Sequence, residues 1–281
     1  MTAKLVPGQH AFENNRTIIA YYIRGKGPPC FIVPYAWGMN SEPMRVFFKP
    51  LEKKLTLIYH DPPGTGRSGP PPRDRDLGMN RVVDDLLALQ NRLEIPRAIF
   101  LGHSGGSAVA LAFALRHPDR VSSLIIVGSG GVIPDVLSSP AVRDAATESL
   151  GRRDEDSFRR LQAGILGPEI RTKSGKATMG RAMKHSFGFN IDRAAYNFME
   201  LREWDVRDSV GGLPVRTLIL AGKLDRLTPP QLSRELKKGI KGSKLVVFKK
   251  SGHFPFLDEP REFFKAVTDF LDEKESAHRR P

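Results

Sequence analysis

Short apolar runs recur along the chain, and each is followed by a turn and then by a stretch of helical period. The runs are Cys30-Phe31-Ile32-Val33, Ala98-Ile99-Phe100-Leu101, Ser122 to Val127, Thr217 to Ala221, and Lys244 to Phe248. Runs of four to six apolar residues bounded by Gly, Pro or Asp read as buried strands. Between them, Arg81 to Leu93 is amphipathic with a period of 3.6, Ser107 to Arg116 is rich in Ala and Leu, and Pro260 to Glu273 repeats apolar positions at Phe263, Phe264, Val267, Phe270 and Leu271. Strands alternating with helices predict βαβ units and an α/β fold with a mostly parallel sheet and helices on both faces.

The rhythm breaks between about Pro134 and Asp208. That segment has charge clusters such as Arg152-Arg153-Asp154-Glu155-Asp156 and helical patterns without clear strands. It predicts a helical insertion over 134–208, a cap, in a domain made of 1–133 and 209–281. Ten of its apolar residues are pocket candidates: Phe158, Leu161, Ile165, Leu166, Met179, Met183, Phe187, Phe189, Phe198 and Met199. Most of them are expected to form the core of the cap, with a few touching ligand.

Gly102-His103-Ser104-Gly105-Gly106 stands at the junction of the run ending at Leu101 and the helical stretch from Ser107. A strand turning sharply into a helix at G-x-S-x-G exposes the serine on a strained turn that glycines permit. A serine hydroxyl needs a base to accept its proton. Of seven histidines, His253 follows the last strand-like run and so belongs on the same rim of a parallel sheet as Ser104. His60, which ends an earlier run, is the rival base. The base needs a carboxylate to orient it. Asp225, after Thr217 to Ala221, is at another strand end; Asp258 and Glu259 read instead as the start of a helix.

The order Ser104, Asp225, His253, together with three further stretches, resembles the α/β-hydrolases. Asp61-Pro62-Pro63-Gly64-Thr65-Gly66-Arg67-Ser68 is similar to the loop after that family's fourth strand. Ala114 to Val121 is similar to its helix-to-strand connector, and Gly252 to Pro260 to its histidine loop. The resemblance implies an α/β-hydrolase fold with an inserted cap, and a triad of Ser104, Asp225 and His253. It also implies an oxyanion hole of two backbone amides, Gly105 and, by alignment on Gly38, Ala36. Pro34 and Tyr35 depart from the usual His-Gly at that loop. Tyr35, Trp37, His103, Phe198 and Phe254 are candidates for the substrate pocket.

Within the family, Leu201 to Asp208 and Leu220 to Pro229 most resemble the prolyl-iminopeptidase-like branch. Two features depart from an N-terminal peptidase. Arg226 has the wrong sign to hold a free amine, and the cap offers only Glu200, which reads as a solvated helix-face residue.

Composition changes this picture little. The net charge of +13 raises nucleic-acid binding, but 16 basic and 10 acidic residues fall in 1–133, 13 and 12 in 134–210, and 15 and 9 in 211–281. A charge spread in this way reads as a solvated surface, and no nucleic-acid partner is expected. Cys30 is the only cysteine, which excludes an internal disulfide. Met1 to Gly8 lack the apolar run expected of a signal peptide, and the sequence shows no ~20-residue apolar stretch and no metal-ligand spacing. A cytoplasmic protein without cofactor or membrane insertion is expected, and a homodimer is left open. These features predict a serine hydrolase acting on small carboxylic esters. The alternatives are release of N-terminal proline, or a ligand-binding module slowed by its altered oxyanion loop.

Overall fold

The computed structural model describes residues 5–34, 37–132, 140–184 and 186–278. Eight strands form one sheet: β1 (Gly8–Asn14), β2 (Thr17–Gly25), β3 (Pro29–Val33), β4 (Thr56–His60), β5 (Ala98–His103), β6 (Val121–Val127), β7 (Thr217–Gly222) and β8 (Lys244–Phe248). Their order is β1-β2-β4-β3-β5-β6-β7-β8. From β4 across to β8 all neighbours are parallel, while β2 pairs antiparallel with β1 and β4. The β1–β2 hairpin turns at Asn15 and Arg16, both at positive φ (46° and 59°).

Alternation along the strands divides the core. Phe31 and Val33 join one apolar cluster with Val83, Leu86, Val109 and Phe113 of α2 (Met79–Arg92) and α3 (Gly105–Arg116). Cys30 and Ile32 join the other, with Phe263, Val267 and Phe270 of α10 (Pro260–His278). Successive side chains of a strand point to opposite faces, so a sheet covered on both sides needs nearly continuous apolar runs. A mostly parallel α/β sheet with helices on both faces, the architecture that the α/β-hydrolase resemblance implies, is therefore that of the chain.

Among the described residues, the break in rhythm corresponds to four helices between β6 and β7: α4 (Pro140–Gly151), α5 (Glu155–Leu166), α6 (Lys173–Lys184) and α7 (Ile191–Arg202). Asp154 caps α5 and Asn190 caps α7, each accepting a backbone N–H three residues on (2.9 and 2.7 Å). The segment enters and leaves side by side, where Val132 bridges Asp205 and Val206 N–H donates to Gly131 O at 2.9 Å. Ala146, Phe158, Ala194 and Phe198 make a small core of their own. Two short helices, α1 (Glu42–Phe47) and α9 (Pro255–Asp258), and α8 (Pro230–Gly239) complete the described elements used below. No helix among the described residues is long and apolar enough to cross a membrane.

Candidate active site

β5 delivers the chain to Ser104, and α3 begins one residue later. Ser104 sits at φ 53°, ψ −122°, a conformation costing about 1–3 kcal/mol for a residue with a Cβ. Close approach explains the flanking glycines. A Cβ on Gly102 would fall on the carbonyl oxygen of Gly106, and one on Gly106 would stand 2.8 Å from the Val33 oxygen. Ser107 pins the turn by donating to Gly102 O (2.7 Å) and accepting from Val127 N (3.2 Å). Gly105 is the first residue of α3, so its N–H is one of the amides that a helix start leaves without an intrahelical partner.

Asp225 and His253 meet beyond the ends of β7 and β8. Nδ1 of His253 donates to Asp225 Oδ2 at 2.8 Å, and both side chains are buried. Asp225 Oδ1 accepts the N–H groups of Leu227 (2.9 Å) and Thr228 (2.8 Å), and Oδ2 accepts the Thr228 hydroxyl at 2.6 Å. Burial pushes the Asp225 carboxyl up, but the facing His253 and the Thr228 donors outweigh it and hold the group below its ordinary range. His253 Nε2 is buried and has no hydrogen-bond partner among the described residues. Gly128, at φ +58°, leaves room for the imidazole, since a Cβ there would stand 3.2 Å from the ring.

Two clefts meet at this point, of about 820 and about 1010 Å³. Ser104, His253, Trp37, Gln162 and Leu166 line both. The first runs past Gly105, Phe198 and Trp204 under α4 and α5. The second runs past His103, Phe254 and Phe189 under α5 and α6.

The structure thus brings Ser104, Asp225 and His253 to one locus and places Gly105, Trp37, His103, Phe198 and Phe254 around it. Ala36 and Tyr35, expected at the oxyanion loop, lie outside the described residues, as does His185. Eight of the ten apolar insertion residues line a cleft. Phe187 and Met199 line neither and are 40% and 57% exposed, so these two candidates are corrected.

His60 is buried in the core and lines neither cleft. Burial, and then Arg193, push its pKa down to about 3. It is not placed to serve Ser104. Glu200 is not a solvated helix-face residue either: its Oε2 accepts the N–H of Met79 at 2.6 Å, at the start of α2. There it stabilises the positive end of that helix. His10 is half-buried and stacks on Tyr21 at 5.1 Å.

Three groups were missed by sequence reasoning. Thr228 touches both Asp225 and, at 3.2 Å, His253 Nδ1; its spacing three residues after an aspartate is a turn signal that would have found it. Glu169, buried between α5 and α6, accepts from Arg226 N (3.1 Å) and Arg226 Nε (2.9 Å), which accounts for the unusual arginine after Asp225. Asp258 accepts from Arg171 N (2.8 Å), Thr172 N (3.0 Å) and Gly252 N (3.1 Å). Nothing local in the sequence marks these last two.

A serine on a strained strand-to-helix turn, a buried Asp–His pair and an insertion over the rim of a parallel sheet are the features of a hydrolase of the α/β class. The family model described as the alpha/beta hydrolase family matches residues 27–266, and the chain belongs to that family. It is 29% identical over 245 residues to a pimeloyl-[acyl-carrier protein] methyl ester esterase of Klebsiella pneumoniae (strain 342), covering 85% of this chain and 92% of that protein. A protein of the same description from Vibrio vulnificus (strain YJ016) is 27% identical over 264 residues, covering 90% and 98%. Among solved structures, an esterase from Exiguobacterium antarcticum superposes with a TM-score of 0.78 at 24% identity, covering 91% of this chain and 96% of that one. The enol-lactonase from Burkholderia xenovorans LB400 gives 0.78 at 24%, covering 94% and 100%. At such identities these two likenesses concern the fold alone.

Proposed function

We propose that the protein is a serine esterase that cleaves carboxylic esters through an acyl-enzyme, with Ser104 as nucleophile, His253 as general base and acid, and Asp225 as its orienting carboxylate. One observation carries the reading. A buried imidazole has its Nδ1 held by an ionised carboxylate and its Nε2 unpartnered, in a cleft it shares with a serine on a strained strand-to-helix turn. His253 Nε2 takes the serine proton as Oγ attacks the carbonyl carbon. The Gly105 amide receives the oxyanion, with the Ala36 amide, assigned from sequence, as the second donor. Nε2 then protonates the leaving alkoxide. Water, activated by the same nitrogen, hydrolyses the acyl-enzyme and restores Ser104.

The similarity to methyl ester esterases supports an ester with a small alcohol part. The apolar walls of both clefts support an apolar chain in the substrate. The helices over 140–202 act as the cap, in the division of 134–208 from 1–133 and 209–281. Cleavage of N-terminal proline is the less favoured reading: among the described residues no Asp or Glu lines either cleft to hold an amine, and Arg226 is spent on Glu169.

The test is steady-state hydrolysis of short p-nitrophenyl esters beside proline arylamides, with Ser104→Ala as control. Ester turnover lost in Ser104→Ala is expected. Ester turnover retained by that variant overturns the nucleophile, and faster cleavage of the arylamides overturns the ester preference. Tight ligand binding without any turnover would favour the binding-module alternative.

A further inference from the structure

The two clefts differ in one respect. No Lys, Arg, Asp or Glu is among the described residues lining the first, whereas Arg159 of α5 lines the second. Its surroundings there are apolar, including Met39, Phe47, Met179 and Phe189. A cation in such a wall has to be held in place, and two contacts hold this one. Its Nε donates to Glu155 Oε1 at 2.7 Å, one helical turn back. Its guanidinium carbon stands 4.6 Å from the centre of the Phe189 ring, and that ring is itself cleft wall. Stacking on the ring keeps the guanidinium along the cleft instead of in bulk water.

What remains of the side chain is its terminal edge. Nη1 and Nη2 form no hydrogen bond with the described residues, and these two nitrogens are a fork that matches a carboxylate. The partner already present does not cancel the charge. Glu155 is 45% exposed and Arg159 33%, and such a pair is weak in water. A substrate carboxylate entering an apolar cleft loses its hydration and needs a charged partner to offset that loss.

We propose that Arg159 makes the second cleft a subsite for a remote carboxylate, so that the preferred substrates are half esters of dicarboxylic acids: the ester carbon at Ser104, the apolar chain along the second cleft, and the free carboxylate on Arg159. The proposal rests on the serine-esterase reading for its ester end, but the carboxylate end can be tested without turnover.

Trp37 lines both clefts and reports on either by its fluorescence. In the Ser104→Ala protein, monomethyl esters of the diacids from adipate to sebacate are titrated against the uncharged amides of the same lengths. At one chain length at least, the acid is expected to bind about tenfold more tightly than its amide, the worth of one charge-assisted pair. Arg159→Gln brings that ratio close to one, and Arg159→Lys recovers part of it. The same ratio appears in kcat/KM when Ser104 is present. Equal binding of acid and amide at every length, or a ratio that survives Arg159→Gln, overturns the proposal. Acid-selective binding without ester turnover in the Ser104 protein would leave the subsite standing and end the esterase reading. Turnover of p-nitrophenyl esters with no acid preference would do the reverse.

Discussion

His103 Nε2 donates to the backbone carbonyl of His253 at 2.8 Å, so the side chain beside Ser104 holds the loop that carries His253. Burial, and then the neighbouring His253, push the His103 pKa well down, which keeps the ring neutral. A carbonyl only accepts, so the proton is on Nε2. The ring packs 5.0 Å from both Phe254 and Phe256. The turn and the histidine loop are thereby locked to each other through a residue with no part in the proposed chemistry.

His103→Ala is expected to lose this tether and leave a cavity. Urea unfolding should report a loss of about 2–4 kcal/mol. Kinetics should show kcat falling more than KM changes, because the loop bearing His253 loses its register. His103→Gln, which can still donate, should recover part of both.

Thr228 gives the Asp225 carboxylate two of its donors, a hydroxyl and a backbone N–H. Thr228→Val keeps the shape and removes the hydroxyl. A hydrogen bond to a buried charge is worth about 1.5–3 kcal/mol, so kcat/KM should fall roughly ten- to a hundredfold. Thr228→Ser should restore most of it. Equal rates for the valine and wild-type proteins would remove Thr228 from the site.

Asp258 gathers the start of the 171–184 stretch and the histidine loop on one carboxylate. Asp258→Ala leaves those amides without an acceptor, at about 2–3 kcal/mol. Local opening should precede global unfolding. Limited trypsin digestion, read by mass spectrometry, should therefore show early cleavage after Arg171 or Lys173 in the variant and not in wild type.

His60 predicts a pH dependence of stability. Burial and the nearby Arg193 lower its pKa from 6.5 to about 3. An unfolded histidine gains a proton below about pH 6.5, while the folded one stays neutral until about pH 3. Between these limits the unfolded state binds more protons, so stability falls as the pH drops. From pH 6.5 to 4.5 the loss due to this one ring is about 2–3 kcal/mol. Urea titrations at the two pH values should show a correspondingly smaller drop for His60→Gln than for wild type.

Much of the fold was legible because its signals are local. The runs at Cys30, Ala98, Ser122, Thr217 and Lys244 are strands in the structure, and the glycine-flanked Ser104 lies on the strand-to-helix turn expected of it. Boundaries were less legible: α3 begins at Gly105, two residues before the apolar period starts, because the turn itself supplies the first helical residues. The β1–β2 hairpin went unread, since its turn uses Asn15 and Arg16 at positive φ where no glycine announces it. Glu200 was read as solvated because its partner, Met79 N–H, is 121 residues away.

Sequence alone determined the alternation of strands and helices beyond the β1–β2 hairpin and the three residue types at three strand ends, because strand runs, helix period and turn glycines act over a few residues. Tertiary structure decided what those ends enclose. Glu169 reaches Arg226 across 57 residues, Asp258 reaches Arg171 across 87, and Arg159 is brought to the wall of a cleft it shares with Ser104. Such contacts arise only when distant segments lose water together and bury one another, and no pattern of neighbours along a chain records which segments those will be.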